Sequence, residues 1–139
     1  MSYQEFTRQV IEEFRSNGGR VGGPFEGADL VLLTTTGARS GRGHTVPLGY
    51  VRDGDRLLVV GSAGGSPHHP AWYHNVLAHP DVTVERGAEV FTAHAVPAAG
   101  AERDRLFELV AAVAPGYADY QRNTTRTIPV VVLEQLTPS

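Results

Sequence analysis

The sequence predicts an α+β fold, mainly β with α: six antiparallel strands curled into a closed or half-closed barrel and flanked by helices. Three observations predict it. Short β-branched or alternating runs recur at Asp29–Thr36, Thr45–Val51, Arg56–Ser62, Asp81–Glu85, Glu89–Val96 and Thr127–Leu136. Two of the gaps between them carry tight-turn signals, Asp53-Gly54 and Arg86-Gly87, and strands joined by hairpins are antiparallel. No strand–helix–strand unit repeats, which argues against a doubly wound sheet. Six short strands of this kind hide their edges best by closing on themselves.

Each element has its own local reason. Ser2-Tyr3-Gln4-Glu5 is a capping box, a hydroxyl cap with a carboxylate three residues on. Phe6, Val10, Ile11 and Phe14 then recur at helical spacing, so an amphipathic helix runs over about 3–16. Gly18-Gly19 ends it, because glycine accepts the left-handed conformation of a C-cap. Asn17–Gly27 is a glycine-rich loop, and "GARSGRG" after the first strand is a polar one. Pro70 suits the first turn of a short helix and Pro80 stops it. A second long helix over about 100–114 places Leu106, Phe107, Val110 and Val113 on one face. Pro115-Gly116 closes it, with Tyr117, Tyr120 and Arg122 in the following turn.

Size and charge narrow the function. The 139 residues suit a single domain over 1–139, with an N-terminal helix and loop over 1–28 and the barrel over 29–136. There is no cysteine, which removes disulfides, thiolate metal sites and a cysteine nucleophile. A net charge of −3 offers no broad basic field for nucleic acid. No apolar run approaches the ~18 residues of a membrane span, and "MSYQEFTRQV" is not a signal peptide. A cytoplasmic setting is expected, with peripheral membrane contact left open.

The stretch "GSAGGSPHHPAWYHNVLAHP" poses a choice between a metal site and an anion cradle. His69, His74 and His79 are five apart, which spreads them around a helix by ~140° per step. No acidic residue joins them, so no metal is expected. The bland reading, solvent-facing side chains, suits His68, His74 and His79. A cradle fits better. Ser62-Ala63-Gly64-Gly65 directly follows a strand, and glycine pairs bring backbone N–H groups close to an anion. Trp72 and Tyr73 begin the helix that follows, although a plain core role suits Trp72 equally. Between the first two strands, Arg39, Ser40, Arg42 and His44 crowd one glycine-bounded loop. It lacks the P-loop pattern, yet arginine forks match phosphate oxygens. A solvated basic loop is the ordinary alternative.

Three blocks in order, "LLTTTGARSGRGHTVPL", "DGDRLLVVGSAGGSPHHPAWYHNVLAHPDVTV" and "GYADYQRNTTRTIPVVVLE", resemble the deazaflavin-dependent nitroreductase family. The resemblance spans about residues 30–134. It implies a split β-barrel of the FMN-binding kind and coenzyme F420 as cofactor. It implies hydride transfer to a small planar acceptor: a quinone, an enone or lactone, or a nitroaromatic. Arg39 and Ser40 would then hold the cofactor phosphate, with Arg42 beside them. A second basic residue of the family is replaced by Ala38, and a family arginine by His44. Val46 and Pro47 would border the ring, and Val60 and Gly61 would lead into the Ser62–Gly65 turn. Lysine stands in some members where this chain has Ala63. Ala71, Trp72 and Asn75 would line the ring from the helix. Ser62, Tyr117 and Tyr120 would serve the reacting side, Ser62 by stabilising charge on the acceptor and a tyrosine by stacking or giving a proton. An FMN enzyme on the same barrel remains open, as does a non-catalytic carrier of F420 or lipid. A quinone acceptor would bring peripheral membrane contact, and the oligomeric state is not readable.

Overall fold

The computed structural model describes residues 2–136. Among them, four α-helices surround one curled antiparallel sheet of seven strands. Helix α1 (Tyr3–Ser16) starts where the Ser2 Oγ accepts the Glu5 N–H at 3.1 Å. It ends at Gly18, φ 62°, where the Gly19 N–H reaches back to the Phe14 carbonyl at 2.8 Å. That six-to-one bond is a glycine C-cap of the Schellman kind.

The strands are β1 (Leu30–Thr36), β2 (Gly43–Gly49), β3 (Val51–Asp53), β4 (Arg56–Val60), β5 (Asp81–Arg86), β6 (Glu89–Pro97) and β7 (Val130–Gln135). Their order across the sheet is β2-β1-β5-β6-β7-β4-β3, and every pairing is antiparallel. The two outermost strands, β2 and β3, are consecutive in the chain with only Tyr50 between them. The sheet must therefore curl until its edges meet. This corrects the expected six strands. The run read as one strand over 45–51 pairs first with β1 and then, past Tyr50, with β4. A β-branched pattern does not record a change of partner.

Burial explains why some strands alternate and others do not. In β1, Val31 and Leu33 enter the inner core while Leu30 and Leu32 pack against α1. In β4 and β7, Leu57, Val59, Val131 and Leu133 face inward. Leu58, Val60, Val130 and Val132 face helix α3 (Gly100–Val113). Strands buried on both faces read as continuous apolar runs. Strands β5 and β6 bury one face, through Val82, Val84, Ala93 and Ala95, and therefore alternate. Helix α2 (Ala71–Ala78) sends Trp72 and Val76 into the inner core.

Two helical expectations change. Val113 is 64% exposed and does not share the buried face of Leu106, Phe107 and Val110. Residues Gly116–Arg122 form a fourth helix, α4, rather than a turn. Gln121 fastens it: its Oε1 accepts from the Ile128 N–H and from Arg103 Nη2, and its Nε2 donates to the Arg126 carbonyl. The helix is set by these tertiary bonds, and no stripe of buried residues marks it in sequence. No helix among the described residues is long and apolar enough to cross a membrane.

Candidate active site

Two recesses lie side by side along β2 and the first turn of α2. The first, about 550 Å³, is walled by the 37–40 loop, by His44 and by Ala71, His74 and Asn75. The second, about 260 Å³, is walled by residues 46–49 of β2, Val60, the Ser62–Gly64 turn, Pro70, Trp72 and Tyr117. Their walls adjoin: Ala71 and Trp72 are neighbours on α2, and His44 and Val46 share β2.

The first recess is built on a folded-back loop. The Gly37 N–H donates to the Arg42 carbonyl at 2.7 Å, and the Arg42 N–H donates to Ser40 Oγ at 3.1 Å. Ser40 Oγ lies 3.5 Å from His44 Nε2. A Cβ at Gly37 would stand 2.4 Å from Ser40 Oγ and 2.9 Å from His44 Nε2, so both side chains would have to shift to admit one. Asn75 bolts this loop to α2. Its Oδ1 accepts the Ala38 N–H and its Nδ2 donates to Thr35 Oγ1, both at 3.0 Å.

The second recess has an apolar wall and a backbone wall. Val46, Pro47, Val60 and Trp72 supply the first. The second is the turn after β4, where Ala63, Gly64 and Gly65 have φ of 46°, 63° and 83°. Ala63 alone among the described non-glycine residues has positive φ, a conformation that costs a side chain roughly 1–2 kcal/mol. No described residue accepts from the N–H groups of Ser62, Ala63 or Gly64. Consecutive free amides of this kind form an anion-binding concavity. Ser62 is buried at the edge of this wall.

Tyr117 closes the recess, and Tyr120 stands edge-on to it with ring centroids 6.0 Å apart. Burial pushes the Tyr117 hydroxyl above its ordinary pKa, with Tyr120 adding to the shift. It therefore stays protonated through neutral pH and can donate. A Cβ at Gly49 would sit 3.4 Å from that hydroxyl.

Of the residues singled out from sequence, Ala38, Arg39, Ser40, His44, Ala71 and Asn75 wall the first recess. Val46, Pro47, Val60, Ser62, Ala63, Gly64, Trp72 and Tyr117 wall the second. Arg42, Gly61, Gly65 and Tyr120 wall neither. Arg42 is exposed and shapes the loop through its backbone. Gly65 backs onto Tyr120, whose carbonyl would lie 3.4 Å from an added Cβ. Gly61 is small for packing: a Cβ there would be 2.7 Å from Pro129 Cγ and 3.3 Å from its Cδ. Gly61→Ala should cost about 1–3 kcal/mol, the usual range for overpacking against a rigid neighbour. A urea melt within 0.5 kcal/mol of the parent would show that Pro129 yields freely.

His74, expected to face solvent, is exposed and also borders the first recess. Among the described residues no three His, Asp or Glu side chains gather as a metal would require. Two residues were missed. Arg126 and His69 brace the turn, and no spacing marks them, since Arg126 lies about 60 positions from the carbonyls it holds.

Two adjoining recesses, one with an apolar wall facing a wall of free amides and the other bearing Arg39, suit an oxidoreductase with a phosphorylated ring cofactor. Residues 6–135 match the model of the F420H(2)-dependent quinone reductases, and the chain belongs to that family. An F420H(2)-dependent quinone reductase of Mycobacterium tuberculosis is 44% identical over 124 residues, 86% of this chain and 83% of that one. The solved F420-H2 dependent reductase FDR-A is 43% identical, with a TM-score of 0.70 over 76% of this chain and 94% of that one. A structure described as a domain-swapped dimer is 38% identical, with a TM-score of 0.73 over 96% of this chain and all of that one.

Proposed function

We propose that this chain is a split-barrel reductase that passes a hydride from reduced coenzyme F420 to a planar, electron-poor acceptor. A quinone is the foremost acceptor, with enones, lactones and nitroaromatics as further candidates of the same electronic class. One observation carries the reading: a slot with one apolar wall and one wall of free amides adjoins a recess walled by Arg39 and His44. These residues fit a deazaflavin with an anionic tail. They would fit FMN as well, and family membership decides for F420.

The cofactor supplies the hydride chemistry, and the chain supplies position and charge. Arg39, Ser40 and His44 hold the anionic tail. Trp72, Val60 and Pro47 form the slot for the ring. Ser62 and the free amides after it stabilise charge that develops on the acceptor oxygen. Tyr117, kept protonated by burial, supplies the proton. A lipid-soluble quinone would be met at a membrane surface by an otherwise cytoplasmic protein.

Stopped-flow oxidation of reduced F420 with menadione is expected to show turnover. Arg39→Ala should raise the cofactor Kd about tenfold or more, since a charge-assisted hydrogen bond is worth ~1.5–3 kcal/mol. Quenching of Trp72, the chain's one tryptophan, reports that Kd. Tight cofactor binding with no turnover across quinones and enones would instead mark a carrier.

A further inference from the structure

The guanidinium of Arg126 holds the Ser62–Gly65 turn by its carbonyls and walls neither recess. Nε donates to the Ser66 carbonyl at 2.8 Å, and Nη2 to the Ser62 carbonyl at 2.7 Å. Nη1 donates to the Gly61 carbonyl and to His69 Nδ1, both at 3.0 Å. Arg126 thus grips the turn before it begins and after it ends. No carboxylate among the described residues pairs with this half-buried cation. Burial lowers its pKa, yet an arginine keeps its charge.

The peptide bonds here are trans, so the C=O and N–H of one peptide unit point in opposite directions. The Ser62 carbonyl and the Ala63 N–H belong to one unit. The Gly61 carbonyl and the Ser62 N–H belong to the one before. Fixing both carbonyls on Arg126 turns both amides away from it, toward the wall that Ser62 and Ala63 give the slot. The cation also polarises those units and makes their N–H groups better donors. It further holds Ala63 in its strained positive φ, a conformation that persists only where its surroundings over-determine it.

We propose that Arg126 is the positioning residue for hydride transfer in this chain: it aims and polarises the Ser62 and Ala63 amides at the acceptor, with neutral His69 as its fourth partner. The proposal rests on the reductase reading above. His69 must stay unprotonated at Nδ1 to accept from Arg126. The groups that face it are Arg126, Tyr73 at 4.7 Å between ring centroids and His74 at 5.9 Å. Burial first, then Arg126 and His74, lower its pKa from the ordinary value. The neutral form is therefore kept through neutral pH. As pH falls through that lowered value, His69 becomes a cation against Arg126 and the brace loosens.

The experiment compares the parent chain with Arg126→Lys, Arg126→Ala and His69→Gln. In cofactor-free protein, the amide resonances of Ser62, Ala63 and Gly64 should shift in both Arg126 variants, and hydrogen exchange should quicken at Gly65 and Ser66, whose N–H groups close the turn on the Ser62 and Ala63 carbonyls. With reduced F420 and menadione, kcat should fall about tenfold or more, below the hundredfold or greater loss of a deleted oxyanion donor. The cofactor Kd should change less than about threefold. Arg126→Lys, which keeps the charge and one bond, should melt within a few degrees of the parent, so its loss of kcat is not loss of fold. Millimolar guanidinium should restore part of the activity of Arg126→Ala. His69→Gln should remove the acid limb of the kcat profile. An active parent beside fully active Arg126 variants, or unchanged turn amides, overturns the inference alone. A parent without turnover overturns the functional reading instead.

Discussion

Trp72→Ala is expected to destabilise the protein by about 3–5 kcal/mol, the range for truncating a buried aromatic. The indole is 6% exposed and enters the inner core beside Val76 at the start of α2. Its other edge walls the slot beside Val60 and Pro70. The truncation therefore does two things at once. It leaves a void among side chains from β1, β4 and β7. It also removes one wall of the slot. For a chain of this length the melting temperature should fall by roughly 10–20 °C, followed by circular dichroism because the only tryptophan is gone. Trp72→Phe keeps a flat face and most of the volume, so it should recover more than half of that loss. A fall under about 1 kcal/mol in the alanine variant would mean that α2 settles into the void and Trp72 does not anchor it.

The same residue shows how much of the molecule is legible in sequence. Local signals were read correctly where the physics is local. The Ser2 cap, the glycines after α1, the turns after Asp53 and Arg86 and the prolines around α2 all act within a few residues. The glycine-turn and basic-loop segments both reached the recesses because each is short and self-contained. Features set by distant partners were not legible. Tyr50 divides one extended run into two edge strands only because β1 and β4 lie where they do. Helix α4 rests on Gln121, whose partners Arg103 and Ile128 lie on α3 and in the segment before β7. Arg126 sits in "NTTRTIPV" with nothing beside it to reveal its role, and becomes visible only when the chain returns under the turn. Asn75 was assigned to the cofactor through the family resemblance; it walls the first recess, and the structure gives its amide a second task, holding Ala38 and Thr35.

That last distinction has a measurable consequence. In Asn75→Leu the side chain keeps its volume but abandons both bonds. The two losses are unequal. Ala38 is exposed, so water can take its N–H; Thr35 is 1% exposed, so its hydroxyl is left with nothing. The Thr35 loss dominates, at about 1–3 kcal/mol for a buried unpaired group. The functional loss has a separate origin. Freed from α2, the loop bearing Arg39 and Ser40 no longer keeps a fixed distance from His74 and Ala71 across the recess. The cofactor must then order that loop on binding, and its Kd should rise about tenfold, since ordering costs are set against affinity. Asn75→Asp separates the two effects. A carboxylate can accept from both the Ala38 N–H and the Thr35 hydroxyl, so the loop stays bolted and the melt stays close to the parent. It also places a negative charge in the recess that Arg39 walls, so the affinity for an anionic tail should fall and the loss should deepen at low salt, where that repulsion is least screened. If Asn75→Asp binds coenzyme F420 as tightly as the parent at low salt, the anionic tail does not enter this recess.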